Sequence, residues 1–137
     1  MRNLWLALVL LILGFAPAQA QTQCVVPPNA AATPIVSTAI ESNHVLSTRP
    51  GCLISTYMVS GASSGFFMVF NAITAPVDGT VAPIECVPVA ANSYQFINFA
   101  PQPPEFYSTG VVVVFSTGAN CLTKTASATA WFHGIVQ

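Results

Sequence analysis

Short runs of β-branched and aromatic residues recur along this 137-residue chain, and clusters of Gly, Pro, Asn and Ser separate them. Runs of this kind predict β-strands, and residues 21–137 carry no amphipathic helical pattern. The predicted strands are Ile35–Ile40, Leu53–Val59, Phe66–Ala72, Ile84–Val89, Tyr94–Phe99, Val111–Ser116 and Thr125–Val136. Short strands joined by turns predict an all-β fold, an antiparallel β-sandwich of jelly-roll or immunoglobulin-like type with about seven strands.

Alternation along these strands indicates which side chains share a face. In the last strand, one face carries small and apolar side chains: Ala126, Ala128, Ala130 and Phe132. The other face carries hydroxyls and rings: Thr125, Ser127, Thr129, Trp131 and His133. Phe66–Phe70 and Val111–Phe115 do not alternate, so these strands are predicted to be central in a sheet or covered by another subunit. Pro88 indicates a strand end or an edge strand.

The first residues predict a signal peptide over residues 1–20. Arg2 precedes the apolar run Leu4–Phe15, and Ala18 and Ala20 form the A-x-A pattern of a cleavage site. The run is shorter than the roughly 20 residues that a membrane span requires. We therefore expect export through the Sec pathway to the periplasm or the extracellular space, with no stable membrane span once the signal is removed. A Pro-rich N-terminal arm over 21–34 and a single β-sandwich domain over 35–137 are predicted to follow.

All four cysteines lie after the predicted cleavage site: Cys24, Cys52, Cys86 and Cys121. An even number of cysteines in an exported chain predicts two disulfide bonds. Four cysteines allow three pairings, and the spacing contains no metal-binding C-x-x-C. Pairing Cys24 with Cys52 and Cys86 with Cys121 is favoured because each bridge then encloses a contiguous stretch. The other two pairings stay open.

Charge narrows the possible functions. Charged residues make up 5% of the chain, against about 25% in an average globular protein. Hydrophobic residues make up 53%, which excludes intrinsic disorder. With three basic residues and a net charge of −1, the chain is not expected to bind nucleic acid. The carboxylates fall in separate segments and predict no glycosidase pair: Glu41, Asp78, Glu85 and Glu105.

One motif resembles a catalytic site. Gly61–Gly65 matches G-x-S-x-G around Ser63, and Asp78 and His133 follow in the order of an α/β-hydrolase triad. That motif needs a strand, a sharp turn and a helix, whereas Phe66–Phe70 is a predicted strand. A Gly/Ser hairpin loop accounts for the pentapeptide, so a small serine hydrolase is only a remote alternative, and the chain is predicted not to be an enzyme.

The two histidines predict no metal or cofactor site. His44 lies in the polar stretch 41–44, which is predicted to be an exposed loop, and His133 lies on the polar face of the last strand. Three aromatic residues are candidates for a binding surface: Phe106, Tyr107 and Trp131. Tyr107 is the best exposed candidate, and the alternative for all three is ordinary core packing.

Several segments are similar in amino-acid sequence to a known group of proteins. These segments are Gly65–Ala72, Ala75–Gly79, Cys86–Ser93, Ser108–Ser116 and Cys121–Ala130. Over roughly 62–137 the chain resembles short uncharacterised β-rich proteins encoded in the structural gene modules of tailed phages and prophages. The resemblance implies a β-rich virion or surface component, and it implies a bond between Cys86 and Cys121. The predicted signal peptide is an addition to this module and favours an exported relative.

Together these features predict an exported, non-catalytic structural or adhesive β-sandwich module. Its expected partner is a second copy, or another surface or virion protein. The alternative is a small-ligand or glycan-binding module that uses Tyr107 and Trp131.

Overall fold

The computed structural model describes Cys24, residues 31–99 and residues 104–137. These residues form nine β-strands and no helix. In chain order the strands are β1 (Thr33–Val36), β2 (Asn43–Ser47), β3 (Gly51–Ser60), β4 (Gly65–Asn71), β5 (Glu85–Val89), β6 (Tyr94–Asn98), β7 (Glu105–Tyr107), β8 (Val111–Ser116) and β9 (Ala130–Val136). The predicted signal peptide lies outside the described residues, as does most of the predicted arm over 21–34.

The strands form two antiparallel sheets. Sheet A has the order β1-β9-β3-β6, and β7 pairs with the first residues of β3. Sheet B has the order β2-β8-β4-β5. One face of each sheet contributes to a shared core, in which the rings of Phe67 and Phe132 are 6.2 Å apart. The arrangement is a β-sandwich, which confirms the predicted fold class.

Each disulfide bond joins two cysteines that follow one another in the order of the four cysteines. Cys24 is bonded to Cys52, and Cys86 is bonded to Cys121. This is the pairing that the sequence favours. The first bridge is attached to β3 of sheet A and the second to β5 of sheet B. Two disulfides indicate an oxidising environment, either periplasmic or extracellular.

The last strand is shorter than predicted. Val111–Ser116 is observed as predicted, whereas the last strand begins at Ala130 rather than at Thr125. The backbone N–H of Thr125 instead donates to Ser116 Oγ at 2.8 Å. This bond draws residue 125 towards the end of β8 and away from sheet A.

Neither β2 nor β7 is among the predicted strands. The stretch 41–44 was expected to be an exposed loop, which is wrong because it leads into β2. Glu41 forms an isolated bridge with Ala130 of β9, and its Oε1 lies 2.7 Å from Nδ1 of the half-buried His44. Glu41 therefore marks the point where the chain leaves sheet A for sheet B. Strand β7 has only three residues, too few for an alternating pattern.

Strands β4 and β8 occupy the middle of sheet B, between β2 and β5. This confirms that the doubly apolar segments Phe66–Phe70 and Val111–Phe115 are central. Pro88 lies in β5, which is an edge strand as predicted. The outward side chains of β4 and β8 form a second buried cluster, here called the outer cluster: Met68, Phe70, Val112 and Val114.

The chain itself covers the outer cluster. Cys86 stands beside Met68 in the β4–β5 register, and its bond to Cys121 holds the β8–β9 loop against this face of sheet B. In the same loop, Lys124 places its Nζ 5.2 Å from the centre of the Phe70 ring. The loops of the same chain therefore cover these strands, and no second subunit is required on this face of sheet B.

Lys124 also joins the two long loops on this face to each other. Its backbone N–H donates to the Asp78 carboxylate, and its ammonium group donates to the Pro76 carbonyl in the β4–β5 loop. Burial lowers the pKa of the Lys124 ammonium, and the Asp78 carboxylate partly opposes this effect. The two loops therefore form one layer over sheet B.

We predict that replacing both Cys86 and Cys121 with Ser releases this layer. The expected loss is about 3–4 kcal/mol of unfolding free energy in the chain-entropy description, measured by urea unfolding. Because the outer cluster becomes accessible, the folded double variant should also enhance the fluorescence of a hydrophobic dye.

The matched control replaces Cys24 and Cys52, whose bridge lies on sheet A. That variant should lose stability without gaining dye fluorescence. Equal dye fluorescence from the two double variants would contradict the role of the Cys86–Cys121 bond in covering the outer cluster.

The two sheets approach closely at Gly134 of β9. A Cβ atom at this position would lie 2.4 Å from Cδ1 of Leu46 in β2, and Leu46 is itself buried in the core. Gly134 therefore allows β9 to pack against β2 without a gap.

We predict that Gly134→Ala destabilises the fold by about 1–3 kcal/mol, because the buried Leu46 has little room to move. Equilibrium unfolding in urea measures the loss. In a double-mutant cycle, Leu46→Ala should relieve part of it. Gly79→Ala is the comparison, because its penalty comes from a φ of 68° and should not depend on Leu46. Additive effects of Gly134→Ala and Leu46→Ala would refute the contact.

Candidate functional site

The outer face of sheet A carries a continuous set of apolar and aromatic side chains, here called the aromatic face. Its members are Val36, Tyr57, Val59, Tyr94, Phe96, Trp131 and His133. The strand register places them in two adjacent rows across the sheet. One row runs Val36, His133, Tyr57 and Phe96, and the other runs Trp131, Val59 and Tyr94.

Strand alternation explains why these residues point outwards. Phe132 of β9, Met58 of β3 and Ile97 of β6 are buried in the core between the sheets. Their neighbours in each strand must therefore lie on the opposite face. Four members of the aromatic face are substantially exposed: Val36 at 42%, Val59 at 43%, Phe96 at 48% and Tyr94 at 74%.

Tyr57 is at the centre of the aromatic face. Its ring stacks on the His133 ring with centroids 4.9 Å apart and an interplanar angle of 24°. The Trp131 ring lies 5.6 Å from it at an angle of 50°. All three side chains are half-buried by one another. Such contacts hold the rings in fixed orientations, which lowers the entropy lost when a partner binds.

The aromatic face contains no carboxylate, ammonium or guanidinium group. Its polar atoms are the tyrosine hydroxyls, the Trp131 indole N–H and the His133 imidazole. An exposed, contiguous and uncharged aromatic surface is typical of an interface with a protein or another uncharged partner. By contrast, the outer cluster of sheet B lies beneath the two long loops, whose own exposed apolar side chains, Val77 and Leu122 among them, include no aromatic ring.

The structure separates the three aromatic residues that the sequence singles out. Trp131 belongs to the aromatic face and stands opposite Val59 of β3. Phe106 lies on the same side of sheet A, but it stands opposite Cys52, roughly 20 Å further along that strand. Phe106 and Trp131 therefore do not form one platform.

The expected exposure of Tyr107 is wrong. Its side chain is 1% exposed and belongs to the main core. Tyr107 stands opposite Gly51, next to the inward-facing Leu53 of β3, so its ring points between the sheets. Its hydroxyl has no hydrogen-bond partner among the described residues. Burial raises the pKa of this phenol, and the Glu105 and Glu85 carboxylates raise it further.

Of the seven members of the aromatic face, Trp131 was among the predicted site residues, and six were not: Val36, Tyr57, Val59, Tyr94, Phe96 and His133. The alternation of Tyr94 and Phe96 along a short strand was a usable signal, because aromatic residues two apart share a face. Their approach to Tyr57 and Trp131 depends on the register between strands far apart in sequence. No local pattern contains that information.

The residues of the hydrolase-like pattern are not brought together. Ser63 lies in the connection from β3 of sheet A to β4 of sheet B, which is a crossing between sheets and not the expected hairpin. Asp78 is held by Lys124 over sheet B, whereas His133 stacks on Tyr57 on the outer face of sheet A. The sandwich separates the carboxylate from the imidazole.

Within residues 31–99 and 104–137 and at Cys24, no group of three His, Cys, Asp or Glu side chains could hold a metal ion. In the same part of the chain, no helix is long and apolar enough to cross a membrane.

Fold and site together define a disulfide-bonded, all-β sandwich with one exposed aromatic sheet face. No protein-family profile, curated protein or solved structure matches the chain significantly.

We predict that Tyr107→Phe is at least as stable as the wild type at pH 7, with a gain of up to about 1 kcal/mol, because it removes a buried hydroxyl that has no partner among the described residues. The raised folded-state pKa makes the wild type lose stability as the pH rises above about 10, the ordinary value for tyrosine. The variant should lose less between pH 9 and 11 in chemical unfolding experiments. Tyr94→Phe, with its exposed ring, is the control, and identical pH profiles for wild type and Tyr107→Phe would disprove the prediction.

Proposed function

We propose that this chain is an exported, non-catalytic structural or adhesive module that acts through the aromatic face. The observation that carries the proposal is the contrast between the two sheets. The chain covers the outer cluster of sheet B with its own loops and a disulfide, yet leaves Val59, Tyr94 and Phe96 exposed on sheet A. A buried contact with a partner is the simplest physical reason to keep such a face open.

The composition supports a structural role. Only 5% of residues are charged, and the hydroxyl, histidine and carboxylate of the hydrolase-like pattern lie apart. The aromatic face offers large rigid rings and few polar atoms. Rings of this kind contribute strongly to protein interfaces, whereas catalysis requires nucleophiles, acids or bases placed around a reacting group.

Two features support export. The signal-peptide pattern over residues 1–20 would direct the chain to the Sec pathway. The two disulfide bonds require an oxidising compartment. The resemblance of residues 62–137 to proteins of phage structural modules supports a part in an assembled surface, either of a cell or of a virion.

A glycan-binding module is the second candidate. It is supported by the exposed side chains of Tyr94 and Phe96, because an exposed aromatic ring can receive the apolar face of a sugar. The 50° angle between Tyr57 and Trp131 weighs against it, since these rings do not share one plane. A protein partner, which can follow an uneven surface, fits this geometry better.

We predict that a charge in the middle of the aromatic face strongly weakens self-association. The test variant is Val59→Lys, and the matched control is Val81→Lys, since the two valines are similarly exposed at 43% and 45% but lie on different faces. Light scattering of the exported protein should show self-association that Val59→Lys weakens by at least about tenfold and Val81→Lys leaves unchanged. Thermal unfolding confirms that both variants fold.

A glycan array with the wild type and Trp131→Ala separates the two candidates. Glycan binding that Trp131→Ala removes, together with a monomeric wild type, would establish the second candidate in place of the first. A wild type that stays monomeric, binds no glycan and does not adhere to cells or virions would refute both.

A further inference from the structure

Edge strands expose backbone groups that can pair with another strand, and proteins usually block them with proline, charge, a bulge or shortness. Most edges of this sandwich carry such a device. Strand β1 contains Pro34 and β5 contains Pro88. Strand β2 has an irregular register between Val45 and Ser47, and the three-residue β7 contains Glu105.

Strand β6, over Tyr94–Asn98, has none of these devices. It pairs with β3 on one side and forms the other edge of sheet A. Its five residues include no proline and no charged side chain, and its register with β3 is regular. By the rules that protect natural edges, β6 is built to accept a further strand.

The hydrogen-bond ladder shows which backbone groups of β6 are available. Ser60 N–H donates to the Ser93 carbonyl at 2.8 Å, and Phe99 N–H donates to the Ile54 carbonyl at 3.2 Å. In an antiparallel pair, alternate residues bond to the neighbouring strand. Residues 93, 95, 97 and 99 therefore face β3, and the residues between them direct their backbone groups away from it.

Tyr94 and Phe96 consequently present their N–H and carbonyl groups at the edge. Among the described residues, their carbonyls receive long contacts from adjacent side chains, at 3.4 Å from Ser93 Oγ and 3.5 Å from Gln95 Nε2. These contacts are local and exposed, so a better-aligned donor can replace them.

We propose that two copies of this chain associate by antiparallel pairing of their β6 strands about a two-fold axis at Gln95. The axis sets Tyr94 of each copy opposite Phe96 of the other. Each such pair exchanges two N–H to carbonyl bonds, which gives four in all. The same two donors and two acceptors of each copy are used, so the edge is complementary to itself.

The aromatic face favours a second copy of the chain as the partner that pairs with the β6 edge. A two-fold axis perpendicular to sheet A keeps the outer faces of both copies on the same side. Tyr94 of one copy then packs beside Phe96 of the other as a cross-strand aromatic pair. No charged side chain lies in β6, so no like charges oppose each other across the axis. This inference rests on the self-association in the proposed function and adds an edge contact to the face contact. Val59 lies on β3, one strand inside the edge, so Val59→Lys tests the face contact and the variants below test the edge contact.

The first experiment compares Phe96→Pro with Phe96→Ala in protein purified after export. Both remove the ring, but only proline removes the outward N–H, and it leaves the bonds to β3 in place. Edge pairing predicts a dimer dissociation constant that is about tenfold or more weaker for proline than for alanine, by analytical ultracentrifugation. Equal weakening by both variants would overturn edge pairing.

The second experiment does not depend on a proline variant that folds. In the proposed pair, Gln95 of one copy faces Gln95 of the other at a separation that suits a disulfide bond. Gln95→Cys should form a covalent dimer under mild oxidation, and Thr80→Cys, on an exposed loop, should not. Equal amounts of covalent dimer from the two variants would overturn the geometry.

The two proposals fail in different ways. Suppose that the wild type dimerises and that Val59→Lys disrupts the dimer. If Phe96→Pro then weakens the dimer no more than Phe96→Ala, and Gln95→Cys cross-links no better than Thr80→Cys, the proposed function stands and β6 pairing is rejected. The face would then be packed against the face of another copy. A monomeric wild type at all accessible concentrations would reject β6 pairing, while an adhesive role towards a different partner would survive.

Discussion

The bond between Cys86 and Cys121 is the constraint on which the exposed surfaces of this sandwich depend. Every two-layer sandwich has two outer faces, and here both are rich in apolar side chains. The bridge holds the β8–β9 loop over sheet B, and Lys124 links that loop to the β4–β5 loop. Sheet B is thereby closed by its own chain. Sheet A has no such cover among the described residues, so its aromatic face stays exposed.

Low charge and the hydroxyl-rich composition have a common structural consequence. The buried polar side chains of the described residues are all hydroxyls: Ser37, Ser55, Thr56, Ser60 and Ser116. Ser116 Oγ accepts N–H bonds from Gly118 and Thr125, and Ser60 Oγ accepts one from Ser93. A hydroxyl is small and serves as both donor and acceptor, so it can organise a buried turn at less desolvation cost than a charge. Buried hydroxyls therefore organise the turn that precedes β6 and the turn that follows β8.

The sequence predicted those features that a local pattern controls. Fold class, the central position of β4 and β8 and the outward direction of Trp131 all follow from alternation or its absence within one strand. Tyr107 was placed wrongly because the short β7 has no pattern of its own, and pairing with β3 decides its direction. The aromatic face was found only in part, since the contact of Tyr57 with His133 joins residues that only the register of β3 with β9 brings together.

An open face and an open edge on the same sheet would ordinarily threaten a protein with uncontrolled aggregation. The opposite edge of sheet A limits this risk. Ser37 N–H donates to the Phe132 carbonyl, so alternation along β1 turns the backbone of Pro34 away from β9. At that position the missing N–H weakens no bond within the sheet, yet it removes a donor that a further strand would need. The proposed pairing through β6 would therefore close at two copies instead of continuing through β1 into a filament, because the other described edge strands of sheet A carry a proline or a charge.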